Sequence, residues 1–270
     1  MKLGTYIFML TYVLIFIIGA CIGSFLNVVI YRLPEKKSIW KKRSNCPHCH
    51  QKLKNYDLVP IFSFIWLKAK CRGCKQKISW QYPSVELVTG LLFVFLAYHH
   101  QVGQAMANPM FFRDLVFVAG LIIIFTTDLR YYLIFDAVSI PLMVFAFLVN
   151  FFILSHSGNY FSILINLIVA GLIGGGFFAL QYWVSKGKWV GGGDIRLGAV
   201  MGFMLGWPII FVALILAYVS GAVISVILLA FKIKTMKSPV PFGVFLTGST
   251  FVALFWGQQL LAWYLTNLGL

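Results

Sequence analysis

Residues 209–231 read IIFVALILAYVSGAVISVILLAF, an unbroken stretch without a charged side chain. A helix of this length extends about 35 Å, enough to cross a hydrocarbon core that is about 30 Å thick. The whole chain has a similar character, since 60% of its 270 residues are hydrophobic, only 11% are charged, and its mean hydropathy is +0.89. These values lie outside the range of soluble globular domains. We therefore predict that most of the chain lies in lipid.

Similar apolar stretches recur along the chain between charged or turn-rich breaks. The predicted membrane spans are residues 5–31, 85–101, 111–127, 133–154, 160–184, 196–206, 209–231 and 242–266. The sixth span is weak, because only about eleven residues precede Gly206-Trp207-Pro208, and it is also compatible with a half-helix that turns back within the membrane. The expected fold class is an all-α polytopic membrane protein with about eight transmembrane helices.

The positive charges are clustered. Of the 22 Lys and Arg residues, 13 lie between Arg32 and Lys77, and the net charge is +15. The positive-inside rule places such segments in the cytoplasm, so we predict a multi-pass membrane protein with both termini outside the cytoplasm. Attraction to anionic lipid headgroups accounts for the rest of the basic excess. We expect membrane lipid as a partner and no nucleic acid, since no stacking aromatics accompany the charges in a recognisable module.

One polar segment, residues 32–84, separates the first span from the second and carries four of the five cysteines. They form two Cys-x-x-Cys pairs, Cys46 with Cys49 and Cys71 with Cys74. Two such turns complete a tetrahedral shell of four thiolates, for which zinc is the natural ion. A closed shell leaves no position for water, so we predict a structural zinc site in a small cytoplasmic domain.

Other interpretations of the cysteines and nearby histidines are weaker. Disulfides are disfavoured because cytoplasmic thiols stay reduced. His48 and His50 are each able to replace a cysteine as ligand, but with four thiolates available we interpret them as polar residues of the turn. Cys21 stands alone among apolar residues and is expected to pack as a small hydrophobe.

Acidic residues are few. They are Glu35, Asp57, Glu86, Asp114, Asp128, Asp136 and Asp194. Asp128 ends the third predicted span, and Asp194 follows three glycines at the start of the sixth. Carboxylates near hydrocarbon are costly and mark functional sites by default.

Two aspartates within hydrogen-bond reach share one proton, so that one activates water while the other polarises a scissile carbonyl. Asp128 and Asp194 are therefore candidates for an aspartic protease pair. Simpler roles remain open: Asp128 as partner of Arg130, and Asp194 as a helix cap beside Arg196. Asp136 is a third candidate acid, although a capping role suits its place at the start of a span.

Several motifs together resemble the type IV prepilin peptidases, and the match covers nearly the whole chain. The matching segments are Gly23 through Pro34, Ser44 through Cys74, Tyr82 through Gly90, Gly191-Gly192-Gly193-Asp194 and Pro241-Phe242-Gly243. The resemblance implies that Asp128 and Asp194 are the catalytic pair and that the substrate is a prepilin or pseudopilin of a type IV pilus or type II secretion system. It also implies N-methylation of the new terminus, with S-adenosylmethionine as donor.

The resemblance further suggests three functional segments: a first transmembrane helix at 1–31, a zinc-binding domain associated with methyl transfer at 32–84, and a protease domain at 85–270. No strand with a Gly-x-Gly turn indicates a separate donor domain, so the donor-binding residues are unassigned. Glu86 and the segment around Gly90 are candidates for methyl transfer, although a capping or packing role is the favoured interpretation of them. The resemblance also implies that the protein lies in the bacterial inner membrane. The alternatives to this function are another intramembrane aspartyl protease of the preflagellin or presenilin type, and a transporter or assembly scaffold. The sequence makes no prediction of the oligomeric state.

Overall fold

The computed structural model describes residues 2–39, 43–101, 108–155, 158–235 and 238–267, with the side chains of residues 2–8 excepted. Its helices are α1 (Lys2–Arg32), α2 (Phe62–Trp66), α3 (Gln81–His99), α4 (Pro109–Tyr131), α5 (Asp136–Ser155), α6 (Tyr160–Ser185), α7 (Gly192–Leu205), α8 (Ile209–Ala230) and α9 (Phe242–Asn267). Within these described residues there is no strand, only two isolated β-bridges. The prediction of an all-helical membrane fold is confirmed.

Seven of the described helices are long and apolar enough to cross a membrane: α1, α3, α4, α5, α6, α8 and α9. The weak sixth span forms α7, which has 14 residues and is about 21 Å long, too short to cross by itself. The predicted orientation, with both termini outside, requires α7 to complete a crossing and stays a prediction.

Burial in the helices is the reverse of that in a soluble protein. Large apolar side chains face outwards, among them Leu172, Ile215 and Val226, each more than 60% exposed. Polar side chains such as Thr89 and Thr250 are fully buried, and their hydroxyls donate to carbonyls of their own helices. An apolar exterior of this extent requires lipid around it. The chain is therefore a multi-pass membrane protein.

The chain packs as two compact units, residues 1–123 and 124–270, with the boundary inside α4. The functional segments predicted at 1–31, 32–84 and 85–270 follow a different division, one of activity rather than of packing, and they stay a prediction.

In the first unit, α1 packs closely against α3 through small residues. A methyl group added at Gly19 would lie 2.9 Å from the Gly90 Cα, and one added at Gly23 would lie 2.8 Å from the Glu86 Cα. Small residues let two helix backbones approach within a membrane, where packing replaces the hydrophobic effect as the main source of association.

In the second unit, α6 packs against α7 in the same manner. A Cβ at Gly174 would lie 2.1 Å from the Gly198 carbonyl oxygen, and a Cβ at Gly198 would lie 2.3 Å from the Gly174 carbonyl oxygen. The glycines therefore fix how close α7, and with it Asp194, lies to the rest of the unit.

Candidate active site and metal centre

Asp128 lies in the last turn of α4, where it is 5% exposed. Its Oδ2 accepts a hydrogen bond of 3.2 Å from the backbone amide of Val244, in the first turn of α9. The carboxylate thus occupies the N-terminus of a helix, where free amides and the helix dipole favour a negative charge. Gly243 leaves the room for it, since a Cβ at Gly243 would lie 2.8 Å from the same oxygen.

Asp194 lies in the first turn of α7 and is 8% exposed. Its Oδ2 accepts a hydrogen bond of 2.8 Å from the Gly191 amide, and its own amide donates to the Gly191 carbonyl at 3.1 Å. The N-cap of α7 is Gly191, so Asp194 is not the N-cap considered from the sequence, although its side chain accepts a hydrogen bond from the amide of that N-cap residue. Arg196, the other partner considered for it, forms an ion pair with Asp136 instead.

The two aspartates come together around the side chain of Ile134. A Cβ at Gly193, beside Asp194, would lie 2.8 Å from the Ile134 Cβ, and a Cβ at Gly243, against Asp128, would lie 3.1 Å from its Cδ1. Asp194 lies outside the seven helices of membrane length, and its pKa is raised to about 6, chiefly because burial disfavours the ionised form. The charge of Asp128 adds to this rise, so the two carboxyl groups are close enough to interact.

Aromatic side chains line the region next to Gly243. The Phe242 ring lies 5.1 Å from that of Tyr218 and 6.1 Å from that of Phe178, measured between centroids. The Tyr218 hydroxyl donates to the Gln181 side-chain oxygen at 2.8 Å. These side chains next to the acid pair are therefore mainly apolar, and their polar groups are the Tyr218 hydroxyl and the Gln181 amide.

The four cysteines of the polar segment converge, with all four Sγ atoms within 4.8 Å of one another. The Sγ atoms of Cys46 and Cys74 are 3.8 Å apart. A tetrahedral site with zinc–sulfur bonds of about 2.3 Å has sulfur–sulfur edges of about 3.8 Å. The donor set and its spacing therefore fit a tetrahedral metal ion of the zinc type.

The two Cys-x-x-Cys turns repeat one backbone geometry. The amide of Cys46 donates to the Gln51 carbonyl, and the amide of Cys71 donates to the Gln76 carbonyl, each five residues on. Four residues after the first cysteine of each turn, His50 and Lys75 have φ of 56° and 59°. Asn45 forms a β-bridge with Lys52, as Lys70 does with Lys77. Such paired turns present two thiolates each to a common ion.

The chain between the two turns is held by an ion pair. Asp57 accepts two hydrogen bonds from the Arg72 guanidinium, at 3.0 and 2.8 Å, and that guanidinium lies over the Tyr56 ring at 4.8 Å. Arg72 stands between the cysteines of the second turn, so this contact fixes the turn to the connecting segment.

Cys21, His48 and His50 do not belong to the four-cysteine cluster. His48 and His50 are exposed, and neither belongs to the converging group of metal-binding side chains. The expectation that Cys21 is packed inside the protein is wrong, because the side chain is exposed on α1. The alternation of buried and exposed positions on a membrane helix cannot be read from hydropathy, since both faces are apolar.

Glu86, on α3, is buried, and its Oε2 accepts a hydrogen bond of 2.7 Å from the amide of Ile61. Gly90, one turn further on, packs against Phe16 and α1.

Asn27, on α1, was not singled out from the sequence. It is 2% exposed, donates to the Tyr82 carbonyl at 3.0 Å, and has no partner for its Oδ1 among the described residues. The signal in the sequence that could have identified it is an amide side chain within an apolar helix.

Two family models match the chain. Residues 17–100 match the bacterial peptidase A24 N-terminal domain, and residues 115–226 match the type IV leader peptidase family.

Individual relatives match over almost their entire length. A prepilin leader peptidase/N-methyltransferase of Aeromonas hydrophila is 32% identical over 94% of this chain and 93% of its own. Proteins of the same description are 31% identical in Bacillus subtilis, over 93% and 97% of the two chains, and 30% identical in Pseudomonas aeruginosa, over 94% and 93%. No solved structure matches the chain significantly. The chain belongs to the type IV leader peptidase family, a family of proteases that includes these prepilin leader peptidase/N-methyltransferases.

Proposed function

We propose that this enzyme removes the leader peptide from prepilins or pseudopilins with Asp128 and Asp194 as the catalytic pair. The observation that carries the proposal is the meeting of two buried carboxyl groups, 66 positions apart in the chain, at the N-termini of α7 and α9. Buried interacting acids in a family of proteases are the components of aspartic catalysis.

In the proposed reaction, the two carboxyl groups hold one proton between them. The ionised group takes a proton from a water molecule, whose oxygen attacks the scissile carbonyl carbon while the protonated group donates to the carbonyl oxygen. The resulting tetrahedral species collapses when the carboxyl group that took the water proton gives it to the amide nitrogen and the C–N bond breaks. A hydroxyl proton of the tetrahedral species returns to the other carboxylate, which restores the shared proton. The backbone amides of Gly191 and Val244 orient the two carboxylates throughout.

The surroundings of the pair suit an apolar peptide. Gly191, Gly192 and Gly193 precede Asp194 without side chains, so a substrate backbone is able to approach closely. The rings of Phe242, Tyr218 and Phe178 provide an apolar surface beside it. A basic leader followed by a hydrophobic helix would reach such a site at the cytoplasmic face of the membrane, where the positive-inside rule places the loops next to both aspartates.

The second proposed activity is N-methylation of the new amino terminus, with S-adenosylmethionine as the methyl donor. Relatives that match almost the whole chain support this proposal, because their names state both activities. The zinc ion proposed for Cys46, Cys49, Cys71 and Cys74 has a structural role, because four thiolates complete its shell. It would hold residues 43–77 in a fixed conformation next to α3.

The peptidase proposal is tested with Asp128→Asn and Asp194→Asn, which keep the hydrogen-bond acceptors but remove the ionisable group. We expect each to lower leader removal at least about 100-fold, the scale of acid–base catalysis, with melting temperatures close to that of the wild type. Cleavage is followed by mass spectrometry of a candidate prepilin incubated with the purified enzyme. Glu35→Gln, which removes an exposed carboxylate paired with Lys37, is the control and should cleave normally. Full cleavage by either aspartate variant would refute the proposal.

A further inference from the structure

The three acidic residues within residues 17–100 differ in whether a positively charged side chain pairs with them. Glu35 is paired with Lys37, and Asp57 is paired with Arg72. Glu86 is the third acid of this segment, and it makes no ion pair with any described residue, although it is only 8% exposed. A buried carboxylate without a positive partner is costly. Among the described residues, the Glu86 carboxylate therefore lacks a positively charged group to pair with it.

The groups around Glu86 are arranged to receive hydrogen-bond donors. Ser24 on α1 lies near the Glu86 carboxylate, since the neighbouring Gly23 packs against the Glu86 backbone. Asn27, one turn along α1 from Ser24, uses its amide nitrogen for the Tyr82 carbonyl, one turn along α3 from Glu86. This bond fixes the orientation of the amide, so the buried Oδ1, which has no partner among the described residues, is an acceptor without a donor.

The backbone next to this cluster is strained. Ile61 has φ 62° and ψ −52°, a conformation that a β-branched residue rarely adopts. Its amide donates to Glu86 Oε2 at 2.7 Å. The contact occupies one carboxylate oxygen and joins the segment after the first Cys-x-x-Cys turn to α3. Ser24 and Ile61 are only half-buried, so the cluster lies near the surface of this unit rather than deep inside it.

We propose that Glu86, Asn27 and Ser24 form the site that holds the free N-terminal amine of the cleaved substrate for methyl transfer. The inference rests on the methyltransferase activity proposed above. A protonated amine supplies both features that the cluster lacks, a positive charge for Glu86 and N–H donors for the Asn27 oxygen. A sulfonium supplies only the charge, which favours the amine as the ligand of these residues.

In the proposed reaction, Glu86 also takes up a proton. Glu86 accepts one proton from the substrate ammonium, which leaves a neutral amine with a free electron pair. The nitrogen then forms a bond to the donor methyl carbon, the bond from that carbon to sulfur breaks, and its electron pair stays on sulfur as a thioether. The product is a methylammonium, and the proton on Glu86 returns to solvent.

The test compares Glu86→Gln with Glu35→Gln in the purified full-length enzyme. Glutamine keeps an oxygen for the Ile61 amide but has no charge and accepts no proton. Glu35 is an exposed acid within residues 17–100 that pairs with Lys37, so its glutamine variant makes the same chemical change away from the cluster. We expect Glu86→Gln to methylate a precut peptide at least about 100-fold more slowly, while leader cleavage stays within about twofold of the wild type. Bound zinc should be unchanged in both variants, and Glu35→Gln should methylate normally.

A binding measurement without the methyl donor tests the ligand directly. We expect wild-type enzyme to bind a precut peptide with a free amine at least about tenfold more tightly than its N-acetylated form, a difference of about 1.4 kcal/mol. Glu86→Gln should lose this preference. Wild-type methylation rates in Glu86→Gln, a joint loss of zinc, cleavage and methylation, or equal binding of both peptides by the wild type would each overturn the inference. If the wild type methylates no precut peptide, the proposed second activity fails instead.

Discussion

Each member of the proposed catalytic pair depends on a glycine beside it. A Cβ on Gly243 would lie 2.8 Å from the Asp128 carboxylate, and Gly193 makes room for Ile134 next to Asp194. Both carboxylates accept a hydrogen bond from a backbone amide at the start of a helix. Their positions are therefore set by backbone rather than by long side chains, which gives a precise geometry at low entropic cost.

Gly243→Ala tests this arrangement. The new methyl group would lie 2.8 Å from Asp128 Oδ2 and 3.0 Å from its Cγ, so the carboxylate has to move. We expect cleavage to fall by about 10- to 100-fold, because small misplacements of a catalytic group are costly. The rate is measured on the same prepilin substrate at saturating enzyme.

Gly248→Ala is the matched control, since it lies on the same helix and a Cβ there meets nothing within 4 Å. It should cleave at the wild-type rate. Equal rates in the two variants would mean that the position of Asp128 near Gly243 does not matter for the reaction.

Asp136, the third acid considered from the sequence, is expected to support the site without taking part in the chemistry. It is exposed and pairs with Arg196, and exposed pairs contribute about 0–1 kcal/mol. We expect Asp136→Asn to retain cleavage within about tenfold of the wild type. Loss as complete as that of Asp194→Asn would transfer the catalytic role to Asp136.

At the scale of the helices, the contact between α6 and α7 determines where Asp194 lies. Backbone touches backbone at Gly174 and Gly198, and Gly202 lies close enough to Ala170 that a Cβ there would be 2.1 Å from its carbonyl oxygen. These contacts leave no space for a side chain. The short helix α7 is thus held by close packing with a membrane-length neighbour.

Gly174→Ala should separate the two helices, because the new Cβ would lie 2.1 Å from the Gly198 carbonyl oxygen. Overpacking of this kind typically destabilises by about 1–3 kcal/mol. We expect a lower melting temperature in detergent together with reduced cleavage. Gly176→Ala, two residues along α6 in open space, should change neither, and an equal effect in both variants would contradict the packing explanation.

At the scale of the whole molecule, the polar segment between α1 and α3 is too small to be stabilised by an apolar core. Of its described side chains, few large apolar ones are buried, with Phe64 among them. Small domains of this kind depend on metals or disulfides. We therefore expect metal binding by the cysteine cluster to supply much of the stability of residues 43–77.

Cys71→Ser removes one of the four proposed zinc ligands. We expect the variant to lose bound zinc and the segment to become accessible to proteases, as measured by metal analysis and limited proteolysis. Cys21→Ser, which changes the exposed cysteine outside the cluster, should keep its zinc. Intact wild-type protein with no bound zinc would refute the metal assignment, and full zinc occupancy in Cys71→Ser would refute the ligand set.

The sequence alone was sufficient for features that depend on composition and local spacing. Long runs such as 209–231 predicted membrane helices because hydrocarbon tolerates no unpaired backbone. The two Cys-x-x-Cys pairs predicted a four-thiolate site because each turn fixes two ligands locally. Motifs such as Gly191 through Asp194 identified the family, and with it the two aspartates to examine.

Only the tertiary structure decided which groups meet across long separations. Hydropathy did not show that Asp128 reaches the amide of Val244, that Arg196 pairs with Asp136, or that Cys21 is exposed. Nor did it single out Asn27 beside the helix that carries Glu86. In a membrane both faces of a helix are apolar, so periodicity carries little information about packing. The partners of each side chain are set instead by close helix contacts at small residues, which become visible only when the chain is folded.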